Sequence, residues 1–365
     1  MPQVGTGIGI KSALVLRLAL LSSFLGPANE GVHRDSAHSP PASIMRVFVI
    51  SDPHFAGPAE IAKKGWERRV IQNPMLRQAA LLYRRLFWLA DPTAHNHQVD
   101  AFVGQAANAD WVVANGDYSC DSAFIGLADP AARASAAICL EKLRRAFKDR
   151  ILEIMGDHEF GKMSLFGGVG GPRIESWKRC TEDLALATLW KLDLGSHTLL
   201  GVTSSLLALP MFEREMIPAE SADWRRIRQA YMVELGDLIA SIPKDRPVVL
   251  FCHDPSALPF LARETATQPL LSRIQRTIVG HLHSPLILRL SRILAGMPEI
   301  SAAGQTARRL SGALRKAKDW APFHVTLCPS PAGIQLLKDG GYLELIFDET
   351  TAKPPEIIRH RLPWR

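Results

Sequence analysis

The sequence predicts an α/β fold, and three observations carry that expectation. Short apolar runs recur at 46–50, 111–114, 151–155, 198–203 and 247–252, each of strand length. Longer stretches with the apolar spacing of helices separate them, among them 76–89, 99–107, 131–147 and 220–242. Acids and histidines gather just beyond the apolar runs, where α/β sheets present their functional side chains.

In chain order, Arg46 to Ile50 is the first strand, and it ends at Asp52-Pro53-His54. The stretch from Ala59 to Gln72 carries Lys63, Lys64, Arg68 and Arg69 among apolar residues. A helix follows over Leu76–Leu89 with Leu81, Leu82, Leu86 and Leu89 on one face, and a second over Val99–Ala107. His95 and His97 sit in the connection between these helices, which makes them surface residues. Trp111 to Ala114 is the second strand and delivers Gly116-Asp117; Ala131 to Phe147 is a helix. Ile151 to Met155 is the third strand and delivers Gly156-Asp157-His158-Glu159. The glycine-rich stretch 167–172 lacks the Lys-Ser/Thr ending of a phosphate loop and reads as a mobile loop.

Thr198 to Thr203 is a fourth strand, and Glu220 to Ile242 a helix with an exposed face rich in acids and arginines. The unbroken apolar run Pro247 to Cys252 has the character of a strand covered on both faces, and it ends at His253-Asp254. Thr277-Ile278-Val279 runs straight into Gly280-His281-Leu282-His283. From Pro285 to Lys318 the chain is basic and leucine-rich, with Arg289, Arg292, Arg308 and Arg315. Amphipathic helices packed on the domain, or helices lying on anionic lipid, would both have this composition. Three closely spaced strands at Phe323–Leu327, Gly333–Leu337 and Gly341–Phe347 suggest an antiparallel meander. Residues 45–350 are expected to form one domain and 351–365 a surface tail.

Composition narrows the class. The net charge of +7 suits an anionic substrate or surface. No Lys/Arg block with interleaved aromatics is present, which argues against nucleic acid. The five cysteines are scattered, odd in number and without C-x-x-C spacing. They indicate reduced thiols in a cytoplasmic compartment, with peripheral membrane contact as the variant the basic stretch allows. Residues 1–44 stand apart. Ser12 to Leu25 is apolar and precedes Gly26-Pro27-Ala28, in the manner of a signal peptide, but Arg17 interrupts it. Asn29 to Ser43 has the composition of a disordered linker, and Met45 stands directly before the first strand. A dispensable extension, a misassigned start and a secretory signal are the readings of this segment.

Five strand ends that each deliver carboxylates or imidazoles form a constellation. The donors are hard oxygens and imidazole nitrogens without a thiolate, a set that suits Mn²⁺, Fe, Zn²⁺ or Mg²⁺. They suffice for two ions, and a shared carboxylate is the usual means of holding such a pair ~3.5–4 Å apart for displacement at phosphorus.

The order Asp-x-His, Gly-Asp, Gly-Asp-His-Glu, His, Gly-His-x-His resembles that of the calcineurin-like metallophosphoesterases, over roughly residues 45 to 347. The resemblance implies a four-layer α-β-β-α sandwich with a dimetal site at the C-terminal strand ends. It implies that Asp52, His54 and His283 bind one metal, that Asp117 bridges, and that Asp157, His253 and His281 bind the second. His158 would hydrogen-bond the phosphate and protonate or stabilise the leaving oxygen. A hydroxide bridging the two metals would attack phosphorus in a phosphomonoester or phosphodiester of a small molecule. Two departures stand out. Asp157 replaces the family's usual Asn, and the acid that often lies three residues after the bridging aspartate is displaced by one, Cys120 standing there and Asp121 next. Asp121 is the candidate to support His158. The Asp-Arg-Gly signature of the protein Ser/Thr phosphatases is absent, since Ser122-Ala123 follows Asp121. Two other functions fit this frame: a pyrophosphatase acting on a lipid-linked substrate at a membrane, and a scaffold of the same fold without turnover. The oligomeric state has no signature in the sequence.

Overall fold

The computed structural model describes residues 44–63, 65, 71–164, 169–300 and 305–364. The expected extension over 1–44 falls outside them as far as residue 43, as do 66–70 of the stretch after His54 and 165–168 of the glycine-rich loop. The described chain forms two five-stranded sheets. The first comprises β1 (Ile44–Ile50), β2 (Trp111–Ala114), β3 (Ile151–Glu153), β9 (Gly341–Asp348) and β10 (Glu356–Arg361), in the order β10-β9-β1-β2-β3. The second is β4 (Leu189–Leu194), β5 (His197–Val202), β6 (Val248–Cys252), β7 (Ile274–Val279) and β8 (Val325–Leu327), in sequence order. Strands β1, β2 and β3 pair in parallel, as do β5 to β8, while β4, β9 and β10 join antiparallel.

Alternation along the strands explains the layering. Val47, Val49, Val113, Val249, Phe251, Ile278, Leu343 and Leu345 share one buried cluster, made of the faces the two sheets turn to each other. Their neighbours Phe48, Ile50, Val112, Ala114, Val248 and Leu250 belong to a second cluster with residues of the covering helices, such as Phe102, Leu140, Leu143, Trp224 and Leu235. Each central strand is therefore buried on both sides, as its unbroken apolar run requires. The Trp190 indole donates to the Glu153 carbonyl at 2.9 Å, and the His197 ring meets Phe347 with centroids 5.2 Å apart; both tie one sheet to the other. The architecture is the four-layer α-β-β-α sandwich.

The described helices of nine or more residues are α1 (Pro74–Leu86), α2 (His97–Gln105), α3 (Pro130–Phe147), α4 (Ser221–Ala240), α5 (Pro285–Ile293) and α6 (Gln305–Lys316). Proline at the first turn starts α1, α3 and α5, and Asn73, Asp129 and Ser284 cap them with side-chain oxygens. The basic stretch after His283 packs on the domain: Arg292 donates to the Val325 carbonyl at 2.7 Å and Arg309 pairs with Glu215 at 2.6 Å. Among the described residues no helix is long and apolar enough to cross a membrane.

Three expectations are corrected. The late meander does not form, because β8 pairs in parallel with β7 and β9 lies in the other sheet. Gly333 to Leu337 is a turn, since the amides of Gln335 and Leu336 donate to the carbonyls of Trp88 and Phe87 instead of to a strand. The tail expected over 351–365 contains β10, hydrogen-bonded along β9. Buried Glu344 of β9 explains its attachment, because it accepts from Arg46 of β1 and His360 of β10, each at 2.6 Å. His95 and His97 are half-buried rather than on the surface, and the His95 ring lies on Trp364.

Candidate metal centre

Parallel strands leave their C-terminal ends along one edge, and the site is built there. β1 hands over Asp52 and His54, β2 Asp117, β3 Asp157 and His158, β6 His253, and β7 both His281 and His283. The backbone at these ends turns sharply. φ is +54° at Asp52, +42° at His54, +62° at Asp117, +60° at His281 and +58° at His283. Non-glycine residues seldom adopt this left-handed region, and each that does costs on the order of 1–3 kcal/mol. Neighbouring loops hold the strained turns: Asp52 N–H donates to the Gly116 carbonyl and His54 N–H to that of Asp117, both at 3.0 Å. The His281 amide donates to Asp52 Oδ1 at 2.9 Å. Backbones also approach closely at Gly156, where an added Cβ would lie 2.2 Å from Asp117 Oδ1.

The side chains fall into overlapping groups, each with ligand atoms within 4.8 Å of one another: Asp52, His54 and His283; Asp117, Asp157, His253 and His281; and His54, Asp117 and His158. Asp117 faces both sides. Its Oδ1 lies 3.2 Å from His253 Nε2 and its Oδ2 3.9 Å from His54 Nε2.

Backbone carbonyls set the histidine tautomers. The Ser119 carbonyl accepts from Nδ1 of both His54 and His158, each at 3.2 Å, and the Asn115 carbonyl accepts from Nδ1 of His253. Each of these rings therefore directs Nε2 toward the centre. The Nε2 atoms of His54 and His283 face each other at 3.0 Å. His253 Nε2 and Asp117 Oδ2 are buried without a hydrogen-bond partner. Converging imidazole nitrogens and carboxylate oxygens, with buried polar atoms left unpaired among them, fit divalent cations.

The electrostatics agree. Burial opposes a charge on His253, but Asp117 and Asp52 outweigh it and raise its pKa well above 6.5. Its Nε2 also lies 3.3 Å from Asp157 Oδ1 and 3.9 Å from Asp52 Oδ1. Without metal, a proton on His253 thus stands where three carboxylates call for a cation, and metal binding must release it. Burial lowers the His158 pKa to about 3, so this imidazole is neutral at ordinary pH.

The three groups contain Asp52, His54, Asp117, Asp157, His158, His253, His281 and His283. Asp121 is not among them, and the support expected from it for His158 is corrected: its carboxylate accepts from the Gly126 amide at 2.8 Å, and His158 Nδ1 rests on the Ser119 carbonyl. Other contacts had no signal in the sequence. Lys162 Nζ pairs with Asp157 Oδ2 at 3.0 Å, leaving Oδ1 to His281 Nδ1 at 2.9 Å. The Trp88 ring lies 4.7 Å from that of His283. Buried Glu159 accepts the amides of Asp117, Tyr118 and Gly156 at 2.7–2.9 Å, and Glu60 accepts those of Cys120 and Ser122.

Residues 45–285 match the family model described as calcineurin-like phosphoesterase. The chain belongs to that family. No curated protein matches this phosphoesterase. Among solved structures it is similar to a phosphopantetheinyl hydrolase from Mycobacterium tuberculosis, at 13% identity over 66% of this chain and 84% of that one, TM-score 0.30. It is also similar to a purple acid phosphatase from yellow lupin (Lupinus luteus) seeds, at 11% identity over 87% of this chain and 54% of that one, TM-score 0.35. A conserved uncharacterized protein from Streptococcus pneumoniae, a predicted phosphoesterase, matches at 12% identity over 87% and 99%, TM-score 0.25. At such scores these three add no weight to the family match.

The geometry yields three predictions. Gly156→Ala pushes a methyl group into the Asp117 carboxylate, and metal content measured by mass spectrometry should fall while the circular dichroism spectrum stays native. Glu159→Ala leaves three buried amides without an acceptor and should destabilise the fold by about 3 kcal/mol or more. Burial, reinforced by the Asp117 charge, raises the Glu159 pKa from 4.5 to about 8. The unfolded chain releases this proton first, so the contribution of Glu159 to stability is complete below pH 4.5 and is lost as the pH rises to about 8. Denaturant titrations of metal-free protein should show wild type losing stability relative to Glu159→Gln across that window.

Proposed function

We propose that this phosphoesterase hydrolyses a phosphomonoester or phosphodiester of a small molecule, using two divalent ions. Asp52, His54 and His283 hold one ion, Asp157, His253 and His281 the other, and Asp117 lies between them. The observation that carries the proposal is the posture of Asp117, with one oxygen toward His253 and the other toward His54. Three carboxylates and four imidazoles suit Mn²⁺, Fe, Zn²⁺ or Mg²⁺. When bound, such ions activate a water as the nucleophile and neutralise charge on the phosphoryl oxygens.

The chain's own residues supply the rest. With Nδ1–H committed to Ser119, His158 serves the substrate through Nε2, which lies 3.7 Å from Asp117 Oδ2 at the same centre. A proton at Nε2, held against burial by the negative phosphate, hydrogen-bonds a phosphoryl oxygen and passes to the leaving oxygen. Lys162 balances the charge of Asp157 and leaves one carboxylate oxygen for the metal. A scaffold without turnover would tolerate loss of ligands, and all seven positions carry a side chain able to bind metal. Five free cysteines, four of them buried, favour a reducing compartment, and the cytoplasm is the location we propose.

Metal-stripped protein titrated with Mn²⁺ should gain activity on aryl phosphates, and Asp117→Asn should lower that rate by about 10³ or more. Wild-type turnover in this variant would overturn the proposal. His158→Ala should keep both metals and lose roughly 10²–10⁴ in rate. A fall in its metal content would make His158 a ligand instead.

A further inference from the structure

A cavity of about 660 Å³ opens beside the edge strand β8, between β7, the end of α5 and the helical turn Ala317–Phe323. That volume is in the range of small-molecule sites. Arg276 of β7, Arg292 of α5, Lys318 and His324 line it, and the described lining residues include no Asp or Glu. Arg292 is held in place by donating to the Val325 carbonyl at 2.7 Å, and Arg276 donates to the Gln275 carbonyl at 2.8 Å. Both bonds spend a donor on a neutral oxygen and leave the charge unanswered. The acids nearest to the lining in sequence are engaged elsewhere: Asp319 pairs with Arg263 at 3.2 Å and Glu299 with Arg308 at 2.6 Å. Trp320 is an independent sign. It lines the same cavity, is 7% exposed, and its indole Nε1 is buried without a hydrogen-bond partner. A buried donor in that state is costly unless an acceptor is brought to it.

We propose that this cavity binds a small polyanion, a molecule carrying several phosphate or sulfate groups, at a site separate from the metal centre. Cations gathered around one space repel each other, and a ligand with several anionic oxygens answers them together. The two guanidinium groups offer paired N–H donors that match tetrahedral anions, and Lys318 adds a mobile point charge. The indole N–H of Trp320 gains the acceptor it lacks. A strand of nucleic acid is a poorer occupant, because these cations converge on one cavity and do not continue as a basic–aromatic stripe. The site stands apart from the centre described above. Arg276 lies three residues before the end of β7 and His281 two residues after it, and no residue of the metal centre lines the cavity.

Equilibrium dialysis of the full-length protein against radiolabelled inositol hexasulfate tests the proposal, since this polyanion has no phosphate ester to hydrolyse. Wild type should retain the probe, and the double variant Arg276→Gln/Lys318→Gln should bind it at least about tenfold more weakly. Asp117→Asn, which alters the metal centre, should bind it as wild type does. Matching thermal melts confirm that both variants are folded. Wild type that retains no probe overturns the proposal, and so does a double variant that binds equally well. Binding that is lost in Asp117→Asn and kept in the double variant places the anion at the metal centre and overturns it as well. Turnover of an aryl phosphate keeps the two readings apart: the double variant should match wild type, and its absence in wild type would sink the phosphoesterase reading while dialysis still decides the fate of the cavity.

Discussion

Mutual repulsion among Asp52, Asp117 and Asp157 is the constraint from which the rest of the site follows. Three carboxylates taken out of water toward one point are strongly unfavourable unless cations answer them. The protein meets this with an imidazole whose proton a metal can replace, with a lysine on the far oxygen of Asp157, and with Nδ1 atoms tied to backbone carbonyls so that Nε2 atoms face inward. Each device needs a backbone that cannot relax. That explains why left-handed residues, buried glutamates and abutting glycines concentrate around the same loops.

The two sheets serve that rigidity. Strands β1, β2 and β6 bury apolar side chains on both faces, between the other sheet and a helix layer, before they reach the edge. Strain in the turns is then borne by a core that cannot yield locally. Trp88 and Lys162 reach that edge from segments outside the sheets.

Much of this was legible in the residues. Apolar runs marked β1, β2, β3, β5, β6 and the end of β7, and the acids and histidines after them named the eight side chains that converge. Strand β10 was hidden because an edge strand mixes Arg359, His360 and Arg361 with isoleucines, and its attachment depends on Glu344, far away in sequence. The meander failed because proximity along the chain says nothing about which sheet a strand enters. The helical spacing of α1 was readable, but the direction of its apolar side is set by tertiary placement alone. Asp121 was misjudged for a related reason: spacing put an acid in range of His158, and the backbone supplied the partner instead.

The shared Ser119 carbonyl has a consequence for how such a site can change. One peptide oxygen orients both a candidate ligand of the first metal and the histidine proposed to serve the leaving group. No side chain at 119 takes part, so an alanine scan would pass over the position as silent. The two histidines are nonetheless geared together, and any insertion that rotates this peptide plane retunes both at once. Variation that reshapes the substrate pocket while keeping catalysis is therefore channelled away from the 117–121 turn and into the peripheral segments.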